Sequence, residues 1–151
     1  MSTNNKNIFK IIAILWFVWS LLHIVPGIIS MINALSGDIT SIQFLFPDTN
    51  PSGMTSDYPN EVEAILVTFG QHGFNLLWFG LVTLICAISI WKKQNKIALL
   101  IAAMVGGLAD LGALFATFMI GRIDVWGVII FLGTFLAIFL SYKMWKVDLE
   151  Q

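Results

Sequence analysis

The chain reads as an all-α integral membrane protein: an up-down four-helix bundle with both termini cytoplasmic. Three observations predict this. Hydrophobic residues make up 58% of its 151 positions and charged residues only 11%, too little charge to clothe a water-soluble surface. Four apolar runs, about 9–32, 64–91, 97–120 and 125–145, each meet the roughly 20 residues a helix needs to cross a bilayer core. Lys6, Lys10, Lys92, Lys93, Lys96, Lys143 and Lys146 flank one side of the four runs, and only Arg122 flanks the other. The positive-inside rule then places the lysine side in the cytoplasm. The whole chain, 1–151, is expected to form a single four-span domain. A net charge of −1 without a basic block argues against a nucleic-acid partner.

The first run follows Lys6 and Lys10 but is too long for a signal-peptide core, and no A-x-A site follows it. It is expected to stay as a helix. Trp16, Ser20, His23, Gly27 and Ser30 recur at steps of three and four, which places them on one face. Pro26 cannot donate to the carbonyl of Leu22, freeing an acceptor there. The external loop, about 33–63, carries Pro47, Pro51 and Pro59 and five acids; its "SIQFLF" (41–46) reads as a lid, an interfacial segment or a plain connector. In the second run Thr68, His72, Asn75 and Phe79 share a face, flanked by Gln71 and Trp78. "KKQNK" is a short cytoplasmic turn to the third run, whose polar face is Gly106, Asp110, Ala113 and Thr117. Small residues in "AAMVGGLADLGALFA", Gly106, Gly107 and Gly112 among them, suit close helix approach, and a second small face would suit a homodimer. "GRID" (121–124) is an external turn. The fourth run offers Thr134, Ala137 and Ser141. Trp91, Trp126, Tyr142 and Trp145 sit near run ends, as an interfacial aromatic belt requires. Cys86 is the single cysteine, so no intrachain disulfide forms and a small buried hydrophobe is expected.

Of the 17 charged residues, 8 basic and 9 acidic, Asp110 alone falls well inside a run. An acid there is a functional hypothesis by default. His23, His72, Asp110 and Thr134 each lie about eight to ten residues from the expected external end, roughly 12–15 Å deep. They would form one layer drawn from four helices, with Gln71 and Asn75 as orienting groups and Trp19 and Trp78 as aromatic walls. An Asp–His pair exchanging a proton would serve as a relay. The leading expectation is a buried polar site that binds or transports a small, lipophilic ligand, coupled to protons. A second is an intramembrane enzyme in which His72 and Asp110 form an acid–base pair. A third is an accessory or assembly protein with a purely structural polar layer. His23, His72 and Asp110 would also make a two-histidine, one-carboxylate metal set, and His23 with His72 a pair of haem ligands. The expected partners are the lipid bilayer, a lipophilic ligand and a second copy.

"WSLLHIVPG" (19–27) and "FNLLWFGL" (74–81) resemble small bacterial four-span proteins of the DoxX-like kind. The likeness covers hydropathy over most of the chain and few specific residues. It implies a multi-pass protein of the bacterial inner membrane and no particular activity.

Overall fold

The computed structural model describes residues 3–41, 50–121 and 125–147. Its helices run, in chain order, α1 (Thr3–Ser36), a 3-10 turn (Ile39–Ser41), α2 (Pro51–Asp57), α3 (Pro59–Lys93), α4 (Lys96–Ile120) and α5 (Val125–Lys146). No strand occurs among the described residues. The four long helices are each long and apolar enough to cross a membrane. The expected all-helical class holds, and the helices overshoot their apolar runs. At 34 residues α1 is about 51 Å long, well over the roughly 30 Å of a bilayer core. The loop expected over 33–63 is correspondingly shorter, because α1 continues to Ser36 and α3 begins at Pro59. Positions 42–46 of the "SIQFLF" segment, Arg122 with the rest of the "GRID" turn after Gly121, and the side chains of Thr117 and Trp126 lie outside the described residues.

Local chemistry explains several of the helix ends. Gly37 (φ 72°) closes α1 by donating to the Ala34 carbonyl, while the Asp38 N–H reaches Asn33; this paired pattern is a Schellman motif. Asp38 then accepts from the Thr40 amide at 2.8 Å and the Thr40 hydroxyl at 2.6 Å. Those two donors hold the exposed Asp38 carboxyl below the usual carboxylate range. Because the folded value is the lower one, the turn is held at neutral pH and loosens as pH falls below the ordinary aspartate value. Asn50 caps α2 by accepting from the Gly53 amide, with Pro51 in the first turn, where its missing N–H costs nothing. Gln94, at φ 52°, ends α3 with a bond to the Ile90 carbonyl. Asn95 then caps α4 by accepting from Ile97 and Ala98. Two residues thus make the whole α3–α4 turn.

The expected single domain is organised as two compact units, Met1–Leu22 with Phe79–Gln151, and His23–Trp78. The first contains the larger core. Phe9, Ile12, Ala13, Trp16 and Trp19 of α1 meet Cys86, Ala87 and Ile90 of α3, Ala98, Leu99 and Ala102 of α4, and Ala137 and Met144 of α5. Four helix segments therefore close around one interior, and Cys86 is the buried small hydrophobe its isolation implied.

The second unit is built on glycine. A Cβ on Gly27 would lie 2.7 Å from the Leu77 nitrogen and 2.8 Å from the Gly73 carbonyl oxygen; one on Gly73 would lie 2.8 Å from the Gly27 oxygen. Backbone meets backbone here, which only hydrogen side chains allow. Gly70 packs beside Ala34, continuing the antiparallel seam. Below it, Ile39 and Val62 are buried with Met54, Ile65, Leu66 and Phe69 around them, so the Asp38–Thr40 turn plants Ile39 into a small cluster. Gly112 differs from the close-approach role expected for it: a Cβ there meets nothing within 4 Å.

Gly27→Ala and Gly73→Ala are each expected to destabilise the detergent-solubilised protein by about 1–3 kcal/mol, the usual cost of overpacking. Gly112→Ala should instead gain about 0.5–1 kcal/mol, since glycine weakens a helix interior. Denaturant titration followed by circular dichroism checks all three.

Candidate functional site: a buried carboxyl under two indoles

Two tryptophans one helical turn apart shape the interior of the first unit. Trp16 and Trp19 of α1 meet edge to face, with centroids 6.1 Å apart and planes at 76°. The Trp19 Nε1–H is shared between the two carboxyl oxygens of Asp110, at 3.2 Å to each. Asp110 is 7% exposed. The Trp16 Nε1–H donates to Ser141 Oγ at 3.2 Å, and that hydroxyl donates to the Ala137 carbonyl at 2.7 Å. The Ser20 hydroxyl donates to the Trp16 carbonyl at 2.6 Å. Three helices, α1, α4 and α5, thereby join through side chains, of which Trp16, Asp110 and Ser141 were expected on polar faces and Trp19 was not.

Gly106 makes the arrangement possible. A Cβ there would fall 2.4 Å from Cζ3 of Trp16, so any side chain would displace the indole that bonds Ser141. Thr134 and Ser141 are buried, and each spends its hydroxyl proton on its own helix, Thr134 on the Ile130 carbonyl. This leaves their oxygens as acceptors, and Ser141 uses its own for Trp16. Every buried side-chain nitrogen and oxygen among the described residues has a hydrogen-bond partner.

No lysine, arginine or histidine occurs in 11–22, 79–91, 97–121 or 125–142, the segments that surround the core. An ionised carboxylate at a helix centre costs roughly 2.5–3.5 kcal/mol on insertion scales. A hydrogen bond to a charged group returns about 1.5–3 kcal/mol. The indole N–H thus offsets a comparable amount.

The remaining candidates belong to the second unit: His23, Gln71, His72, Asn75 and Trp78. His23 is half-buried, while Gln71 and His72 are exposed. Trp78 is 39% exposed and donates Nε1–H to Asn75 Oδ1 at 3.2 Å, one turn back on the same helix. The inward stripe expected of Thr68, His72, Asn75 and Phe79 is rotated. Thr68 and His72 are exposed, and Gly73 is the buried position. Glycine permits the closest approach, so it and not the polar stripe sets the inner face.

The partner that sequence reasoning missed is the Trp19 indole, expected to be a pocket wall and found to be the donor to Asp110. Its spacing carried the signal, since Trp19 precedes His23 by four residues on the same face. The eight candidates divide between the units, with Trp19, Asp110 and Thr134 in one and the other five in the other. Among the described residues no three His, Cys, Asp or Glu side chains gather as a metal-holding group. Compared with protein families, curated proteins and solved structures, the chain matches none.

Asp110→Leu should orphan the Trp19 N–H and cost about 1–3 kcal/mol, whereas Asp110→Asn keeps an acceptor and costs less. Combining Trp19→Phe with Asp110→Leu should cost less than the two singles together, with a coupling of about 0.5–3 kcal/mol. Thermal unfolding of the four variants in detergent measures it.

Proposed function

We propose that the chain is a multi-pass membrane protein that binds or moves a small, lipophilic ligand, with Asp110 taking up and releasing a proton in step. The observation that carries this reading is the carboxyl of Asp110, 7% exposed and held by a neutral donor, Trp19. An acid within a membrane-spanning helix is a functional hypothesis by default, and the indole N–H can donate to the carboxyl oxygens whether or not the group carries a proton. The outer faces of all four long helices support membrane insertion. Ile14, Phe17, Val25 and Ile29 of α1, Leu81 and Ile85 of α3, Leu108 and Leu111 of α4, and Leu132 and Phe135 of α5 are all exposed. In water such continuous apolar surface would aggregate; in lipid it is the native solvent contact. Lysine distribution orients both termini to the cytoplasm in this reading, and the DoxX-like resemblance agrees with a bacterial inner membrane.

A second reading, an accessory protein whose polar interior only fixes helix register, is favoured by the completeness of the buried hydrogen bonding. A satisfied network specifies one arrangement whether or not a ligand ever enters.

The two readings part on proton exchange. A library of lipophilic amines and neutral lipophiles is added to weakly buffered detergent-purified protein, and a pH-indicator dye follows proton exchange during binding. Wild type should exchange a proton with the ligand it binds, and Asp110→Asn should bind without exchange. Wild-type stability with no binding and no proton exchange across the library leaves the structural reading standing instead.

A further inference from the structure

A second feature of the first unit lies away from Asp110, at the lysine-bearing end. Between α1 and α3 runs an open groove of about 270 Å³, lined by Ala13, Ile14, Phe17, Ala87, Ile88, Trp91 and Lys92. Its form follows from the residues. Ala13 and Ala87, each 2% exposed, make a floor that no larger side chain fills. Ile14 and Phe17 on one bank and Ile88 and Trp91 on the other stand 44–51% exposed. Small-molecule pockets start near 300 Å³ and enclose their ligand; this groove is slightly smaller and open along its side, the shape for a length of flexible chain.

Charge is confined to one end. Lys92 lines the groove, and Lys10, one turn before Ala13, holds its Nζ 5.8 Å from the Trp91 ring centroid. That distance is at the outer reach of a cation–π contact, so the ammonium is steered to the groove mouth by the ring that forms its wall. Lys93 lies next in sequence. No acidic residue occurs in 1–37 or 64–109, so neither helix supplies a counter-charge at this end. An apolar channel, an aromatic ring at its junction with water and two ammonium groups beyond it match one chemistry: an acyl chain bearing an anionic headgroup.

We propose that this groove is a binding site for an anionic phospholipid. Its acyl chain lies over Ala13 and Ala87, and its phosphate is held by Lys10 and Lys92 beside Trp91. The proposal rests on the membrane reading above, and on nothing in the Asp110 site. Basic residues at the membrane surface each favour anionic lipid by about fivefold.

The test uses vesicles of phosphatidylcholine carrying a minor fraction of bromine-labelled lipid, either phosphatidylglycerol or phosphatidylcholine. Bromine quenches tryptophan on contact, and Trp91→Phe isolates the Trp91 share of the signal. Wild type should show several-fold stronger Trp91 quenching by the labelled phosphatidylglycerol at equal mole fraction. Lys10→Gln/Lys92→Gln should bring the two lipids to parity, and Lys10→Arg/Lys92→Arg should retain the preference. Free glycerol phosphate should not relieve the quenching. Equal quenching by both lipids in wild type overturns the site, and relief by glycerol phosphate overturns the acyl-chain half of it. Absence of quenching of any tryptophan by either lipid overturns the membrane reading and this site with it.

Discussion

Asp110 imposes a demand that the rest of the first unit is arranged to meet. A carboxyl in an apolar interior must find donors or give up its charge, and the Trp19 indole reaches both of its oxygens. Trp19 packs edge to face with Trp16, which is bonded to Ser141 and admitted by the missing side chain of Gly106. One acid thus dictates residue choice on three helices. Replacing any of these five residues changes the environment of the others, which is how a polar network specifies a single arrangement where apolar contacts alone would tolerate several.

The two units use different physics. In the first, large residues such as Trp16, Trp19 and Leu99 pack against alanines from all four helix segments. In the second, α1 and α3 approach until Gly27 and Gly73 touch through their backbones, a contact that depends on small residues and dispersion more than on burial of bulk. His23 and His72 belong to that second unit, the first half-buried and the second exposed. Continuous helices α1 and α3 carry residues of both units.

Much of the architecture was legible because it follows from average properties: four runs long enough for a bilayer, with short polar turns at 92–96 and 121–124; the Gly37 stop of α1 was not read. Stripe arguments worked for α5, where Thr134, Ala137 and Ser141 are all buried, and for α4 at Gly106 and Asp110 but not at Ala113, which is exposed. They failed on α3 because two stripes competed there, one polar through His72 and one small through Gly73, and helix approach selects small residues over polar ones. Depth counting placed Asp110 and the histidines at one level but carries no rotational information. The Trp19–Asp110 bond was hidden for another reason. Tryptophan reads as hydrophobic in any pattern, and its single N–H becomes visible as a donor only when the fold shows where the ring edge lies.

If Asp110 exchanges a proton as proposed, the Trp19 indole N–H bonded to both its oxygens reports it directly. Indole-nitrogen NMR of detergent-solubilised protein, with the Trp19 signal assigned by Trp19→Phe, follows that group across a pH titration. The Trp19 signal should move in a single step as Asp110 gains its proton, and should stay fixed at every pH in Asp110→Asn. A Trp19 signal that is insensitive to pH in the wild type, or that titrates equally in Asp110→Asn, would contradict the proposal.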